Sequence, residues 1–510
     1  MTRRSEQTVP SAGSEREAER RREFRGPVAP VHGWRGPASG RSPAVVPGSL
    51  YLASTTQVAG LFPFVQAAGL PATGIPIGRD LLTAELVCVD PPGWVGKLTS
   101  NPGMWVQAQP GVGKSAITKR IVLGLVALGY LGLVPADIKG EYAALVSACD
   151  GQVVRVGRGL DRINPLDSGP LGRALPRLSG EQREALATEV AARRADLVVA
   201  LLSTPNGLNR RPAPGEQFVL NAAVRLLTDV HAGEADPFIT DVVRILRNPS
   251  GPLLSAVMID YAATFRDRFA ELIFALENLV SGPLSGLFDG PTTRPIDLTA
   301  KAVSVDLSSL LTADDAVIAA GMLATWAYSY GAIDAAAALG ISTRPRVIPL
   351  DEFWRVLRAG AGMVDSCDSL TRLNRQKGVV TIMVTHSLRD TEALPKPEDR
   401  AKAAGLMERC DTLILGASSH NELEAVRARK PLTSEEIRLI SSWANPIGTA
   451  VDGTDQKHPG RGKYLIKIGH RIGVPVALQL HPAEEALYDT DGAMRTTGLR
   501  AQTEEPVVAV

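Results

Sequence analysis

The pattern of apolar and polar positions changes character several times along the chain. Over residues 1–43 there is almost no periodic apolar pattern, with nine Arg against five Glu and many Pro, Gly and Ser. This predicts a disordered, mildly basic arm over 1–44, and its segment SEREAERRREFR (14–25) reads alternatively as a helix that contacts nucleic acid or lipid. Residues 45–100 carry short apolar runs broken by Pro and Gly, with TAELVCVDPP (83–92) the clearest strand and turn, and predict a small β-containing region. From 101 onward, buried-strand runs alternate with helical stretches. Strands are predicted at MWVQAQ (104–109), LVPAD (133–137), QVVRVG (152–157), KAVSVDLSSL (301–310), RVIPLDE (346–352), VVTIMVTH (379–386) and DTLILGAS (411–418). KYLIKIGHRIGVPVALQL (463–480) reads as two strands around a turn. Residues 101–170 and 295–482 are therefore expected to form one α/β domain with a mainly parallel central sheet. The remainder, 483–510, reads as a C-terminal tail.

Between the two halves of that domain the pattern becomes helical. LSGEQREALATEVAARRADLVVALL (178–202) opens with Ser179 and Gln182 in capping-box spacing, and Leu186, Val190, Leu197 and Leu201 mark one face. Three further helical runs follow, which predicts an all-helical insertion over 171–294. A second capping box, Thr433 with Glu436, predicts a helix start late in the chain. IVLGLVALGYLGLVPA (121–136) and AVIAAGMLATWAYSYGAI (316–333) are nearly charge-free. The first follows GKS directly and reads as a helix plus the next strand; both read as buried elements of an α/β fold rather than membrane spans.

Composition narrows the picture only slightly. With 55 Lys and Arg against 54 Asp and Glu, the net charge is +1, so no global field draws the chain to nucleic acid or membrane. The cysteines, Cys88, Cys149, Cys367 and Cys410, are widely spaced without a CxxC pair. That argues against a disulfide framework or zinc site and predicts a reducing, cytoplasmic setting.

The strongest chemical signal is AQPGVGKS (108–115), between a strand and an apolar helix. A loop of backbone N–H groups followed by a helix N-terminus is built to wrap phosphates. Pro110, Gly111, Val112, Gly113, Lys114, Ser115 and Ala116 are the predicted nucleotide-binding residues. Lys114 is expected to reach the β- and γ-phosphates of ATP, and Ser115 to ligate Mg²⁺. Ala108 stands where the GxxxxGK(S/T) pattern has its first glycine, a change the turn tolerates if φ is negative there. RVIPLDEFW (346–354) supplies the acidic strand end: Asp351 for the Mg²⁺ shell and Glu352 to orient and activate water. Pro349 is unusual for a central strand, and Trp354 is expected in the core beside the strand end. VVTIMVTH ends in Thr385 and His386, and His386 reads either as a γ-phosphate sensor or as a His exposed at a strand end. Arg375, in TRLNRQKG (371–378), reads either as an arginine finger to a neighbouring subunit or as a solvated helix end. Glu141 reads as a contact to nucleotide or neighbour, or as a helix-start cap.

Taken in order, the phosphate loop, DIKGEY (137–142), RINPLD (162–167), GPLSGLFDG (282–290) and DEFW (351–354) resemble the conjugative-transfer ATPases of type IV secretion, TraC-like and TraG-like, of the HerA–FtsK superfamily. The resemblance covers about 75–480. It implies a RecA-like P-loop fold and a homo-hexameric ring. It also implies hydrolysis of Mg-ATP to move DNA or a secreted protein at a membrane-bound channel, from the cytoplasm or the inner face of the membrane. Ala108, His386 in place of Gln, and Arg375-Gln-Lys377-Gly378 depart from the family pattern. The expected absence of an N-terminal anchor favours the TraC-like branch. Two other readings stand beside it: a DNA translocase of the HerA or FtsK type, and a nucleotide-binding scaffold or switch with negligible hydrolysis.

Overall fold

The computed structural model describes residues 69–488, apart from 232–234, 339–343, 359–363, 365–377, 390–393, 395–396 and 445–457. The strands are β1 (Ile75–Asp80), β2 (Leu86–Val89), β3 (Met104–Gln107), β4 (Leu131–Asp137), β5 (Gln152–Arg155), β6 (Ala302–Asp306), β7 (Arg346–Leu350), β8 (Val379–Thr385), β9 (Thr412–Gly416), β10 (Lys463–Ile468) and β11 (Val474–Leu478). They form one 11-stranded sheet in the order β2-β1-β11-β10-β9-β3-β8-β7-β4-β6-β5. The seven strands from β9 to β5 are parallel, and the four beyond β9 are antiparallel.

Apart from the edge strand β5, the parallel strands were legible because they are buried on both faces and so read as continuous apolar runs. In β3, Met104 and Val106 pack into one hydrophobic cluster while Trp105 packs into the other. Helix α1 (Lys114–Ala127) covers the first face, and α2 (Asp315–Ala338) lies against the second. The segment Asp315–Ile333 is long and apolar enough to cross a membrane, yet 83% of that window is buried inside the fold.

Pro349 sits inside a paired strand without disrupting it. Arg346 donates its N–H to Gly378 beside β8, so alternation aims the position 349 nitrogen at the β4 side. The β4–β7 ladder ends at Gly132↔Val347, so position 349 lies beyond the residues paired on that side.

The expected N-terminal β-containing region is present as β1 and β2, and it is part of the antiparallel extension. β1 pairs with β11, and β11 pairs with β10, so the segment before the phosphate loop and the segment after β9 together widen one sheet. Residues 483–488, read from the sequence as the start of a tail, lie in helix α3 (Pro482–Tyr488), where Glu484 pairs with Arg120 of α1 and Tyr488 is buried. Between β5 and β6 the described residues are helical or loop, including Gly180–Leu202, Pro214–His231, Ile239–Arg247 and Ala270–Ser281. This agrees with a helical insertion, and its core is continuous with that of the sheet.

Candidate functional site

The site lies at the C-terminal ends of β3, β8, β7 and β4, which the strand order sets side by side. A parallel sheet delivers all its strand ends to one edge, where loops can converge on a ligand.

The loop after β3 is held from behind. Gln109 donates its N–H to the Ala417 carbonyl at 2.8 Å, and Gly462 donates to Val112 at 3.0 Å. The Tyr464 hydroxyl, on β10, donates to the Gly113 carbonyl at 2.7 Å. Gly111 and Gly113 adopt φ of 76° and 105°, the left-handed region that glycine enters without strain. Gly113 is also the N-cap of α1 and brings no side-chain cap, so the first N–H groups of the helix stay available to an anion. Lys114 turns back over the loop and donates to the carbonyls of Ala108 at 2.8 Å and Gln109 at 3.0 Å. Burial lowers its pKa to about 8, against the pull of Asp351 and Glu352.

Ala108 is fully buried and is not among the residues with positive φ. Its methyl group fits because Gly416 faces it: a Cβ at 416 would come within 2.8 Å of the Ala108 Cβ. The missing loop glycine is thus matched by a glycine on the neighbouring strand β9.

The acidic end of β7 presents two carboxylates whose pKa values are shifted in opposite directions. Burial, with Glu352 alongside, pushes Asp351 up to about 6. Glu352 is buried and has φ of 52°, an uncommon conformation for a non-glycine residue. Burial alone would raise its pKa, but hydrogen bonds from His386 and Lys139 hold it well below the usual carboxylate range. Lys139 Nζ stands 2.6 Å and His386 Nε2 3.2 Å from Glu352 Oε1, while Trp354 Nε1 donates to Oε2 at 2.6 Å.

The turn carrying Lys139 is anchored from β4. Asp137 accepts the N–H groups of Glu141 and Tyr142, at 3.0 and 2.8 Å. Burial raises the Asp137 pKa to about 6, with those two hydrogen bonds opposing the shift. Glu141 points inward and pairs with Lys119 of α1 at 3.4 Å, a lysine wholly buried beside Tyr142 and Tyr488. Lys119 is a partner that the sequence reading of Glu141 did not name.

The structure therefore brings Lys114, Asp351, Glu352 and His386 to one edge, with Ser115 in the first turn of α1. His386 contacts the acidic strand directly rather than standing free. Trp354 is half-buried and bonded to Glu352; Phe353 is the core residue, packed edge-on to Trp105 at 5.7 Å. Arg375 lies outside the described residues. Lys139, Tyr464 and Gly416 were not singled out from the sequence. For Lys139 the DIKGEY motif was the available signal, but nothing in it names Glu352 as the partner.

A Mg²⁺ ion fits this donor set. Among the described residues no three His, Cys, Asp or Glu side chains cluster as a metal cage. Mg²⁺ bound to a nucleotide needs none, since one hydroxyl and one carboxylate with phosphate oxygens and water complete its shell.

No family model matches the chain, and no curated protein matches it. Among solved structures, VirB4 of Thermoanaerobacter pseudethanolicus superposes with a TM-score of 0.62 at 19% identity, covering 82% of this chain and 99% of that one. This chain has a VirB4-like fold. The plasmid coupling protein TrwB in complex with ADP and Mg²⁺ is also similar, at a TM-score of 0.47 and 10% identity, covering 74% of this chain and 86% of that one. The RecA-like P-loop architecture expected from the motifs is thus the observed one, and the assignment rests on the VirB4 likeness and the strand order. In the VirB4-like fold the phosphate loop and the acidic strand are separated by β8, whose end carries His386 into contact with Glu352.

Proposed function

We propose that this chain is a Mg-ATP-hydrolysing motor that energises conjugative transfer or type IV secretion of DNA or protein. The observation that carries the reading is Lys114 on a glycine-shaped phosphate loop, at the same sheet edge as Asp351 and a buried, ionised Glu352. The VirB4-like fold supports the conjugation and secretion context.

In this reading the backbone N–H groups of 111–116 bind the phosphates of ATP, and Pro110, which has no N–H, shapes the start of the loop. Lys114 leaves the carbonyls of Ala108 and Gln109 for the β- and γ-phosphate oxygens. Ser115 and Asp351 hold Mg²⁺, which neutralises phosphate charge when bound. Glu352 orients a water molecule and takes its proton as the new P–O bond forms and the bond to ADP breaks. Inorganic phosphate and ADP leave, and the proton passes from Glu352 to solvent. His386, bonded to Glu352, relays the state of the terminal phosphate to the acidic strand. Arg375 completes the site of a neighbouring subunit in a homo-hexamer working at the cytoplasmic side of a membrane-bound channel.

Steady-state hydrolysis by the purified chain tests the enzyme reading, with and without single- and double-stranded DNA. Stimulation by DNA assigns a nucleic-acid substrate, and turnover without any DNA response assigns a protein one. Sedimentation with and without ATP tests the ring, which requires a sixfold mass.

A further inference from the structure

We infer that Lys139 is a positioning residue that holds Glu352 in a resting state and releases it when the terminal phosphate of a nucleoside triphosphate arrives. The inference rests on the ATPase reading above and concerns how that site is regulated.

The resting carboxylate is fully engaged. Oε1 takes Lys139 at 2.6 Å and His386 at 3.2 Å, and Oε2 takes the Trp354 indole at 2.6 Å. With its charge matched and both oxygens occupied, Glu352 is a poor acceptor for a proton from water. Backbone geometry favours this arrangement, since the positive φ of Glu352 fixes the direction of its side chain at the end of β7.

Lys139 is built to change partners. Its turn is fixed by the Asp137 hydrogen bonds and by the Glu141–Lys119 pair, yet its own side chain is 40% exposed. Its turn follows β4, at the same sheet edge as the phosphate loop after β3 and the acidic end of β7, so a terminal phosphate held by that loop would arrive beside the Lys139–Glu352 pair. A triphosphate carries several negative charges against the single charge of Glu352 and would draw Lys139 towards it. ADP, one phosphate shorter, leaves the pair closed. Glu352 freed in this way turns to water only when there is a γ-phosphate to attack.

Nucleotide affinity and Trp354 emission test this together, using ADP and a non-hydrolysable ATP analogue with Mg²⁺. The emission from Trp354 is isolated by subtracting Trp354→Phe. In wild type the analogue is expected to change that emission and ADP to leave it unchanged. Lys139→Ala should weaken the analogue roughly 10–100-fold, the loss of one charge-assisted contact. It should leave ADP affinity unchanged and abolish the emission change. Lys139→Arg should restore much of the preference. Lys139→Gln, which keeps the stem, should repeat the alanine result if alanine impairs folding. Wild-type discrimination and emission response in Lys139→Ala and Lys139→Gln would overturn the inference while leaving the ATPase reading intact. A wild-type chain that binds neither nucleotide would overturn both.

Discussion

At the scale of single residues, the site is held by side chains that a motif reading passes over. Ala108 is accommodated because β9 offers glycine opposite it, and this pairing has a direct consequence. Gly416→Ala should cost about 1–3 kcal/mol through overpacking, since its Cβ would also meet Tyr464 and Val112 at 3.3 Å. Ala108→Gly in the same chain should recover much of that loss. A double-mutant cycle read by denaturant midpoint measures the coupling, and strictly additive losses would contradict it. The conspicuous residues Gly111, Gly113, Lys114, Asp351 and Glu352 were readable because phosphate chemistry demands those types at that spacing. Gly416, Tyr464 and Lys139 were not, because each acts through a contact distant in sequence, and no local pattern encodes its partner.

Elements show the same limit in another form. Two capping boxes were read from equivalent spacing, and only one forms fully. Thr433 accepts from the Glu436 N–H at 3.1 Å and Glu436 accepts from the Thr433 N–H at 2.7 Å, whereas the Ser179 side chain makes no cap bond. Thr433→Ala is therefore expected to cost about 1 kcal/mol and Ser179→Ala only a few tenths. Equal costs in urea unfolding would contradict this.

Glu436 shows why the second box is so well fixed. Its carboxylate also binds the buried Lys467 at 2.9 Å and the Gly473 N–H at 2.7 Å, tying the helix Ser434–Trp443 to the β10–β11 turn. Burial opposes its ionisation, but these hydrogen bonds and Lys467 hold its pKa below the ordinary value. A carboxylate lowered on folding adds stability at pH above its unfolded value, ~4.3, and loses it as pH falls through the folded value. Glu436→Gln should thus be clearly less stable than wild type at pH 7, with the gap narrowing as pH drops below about 4. A gap independent of pH would show that the pair contributes nothing through ionisation. The strands of the parallel sheet, by contrast, were placed to within a few residues, because burial leaves an apolar run that charge and turn residues interrupt, whereas β1 was not singled out.

For the whole molecule, the parallel sheet sets the chemistry and the antiparallel edge supports it. β10 brings Tyr464 under the phosphate loop, α3 brings Glu484 and Tyr488 against α1, and β1 accepts a hydrogen bond from Arg120 at the Pro76 carbonyl, so segments before and after the parallel strands brace α1. The N-terminal β-containing region carries little periodic signal because its apolar runs are short and broken by Pro and Gly. Its place in the sheet depends on pairings such as Gly78↔Leu478, which no local pattern reveals. Ending the chain at residue 481 should lower stability by several kcal/mol, since Tyr488 is buried and Arg120 loses its carboxylate partner. An unchanged thermal midpoint would show that α3 is dispensable.

The central claim is that Lys114 and Glu352 form one ATP-hydrolysing site. The most direct test is steady-state ATP turnover by wild type, Lys114→Ala and Glu352→Gln, with nucleotide binding measured in parallel. The account predicts that Glu352→Gln binds ATP but turns it over at least about 100-fold more slowly, and that Lys114→Ala loses both binding and turnover. A wild-type chain that binds ATP but hydrolyses it no faster than Glu352→Gln would contradict it.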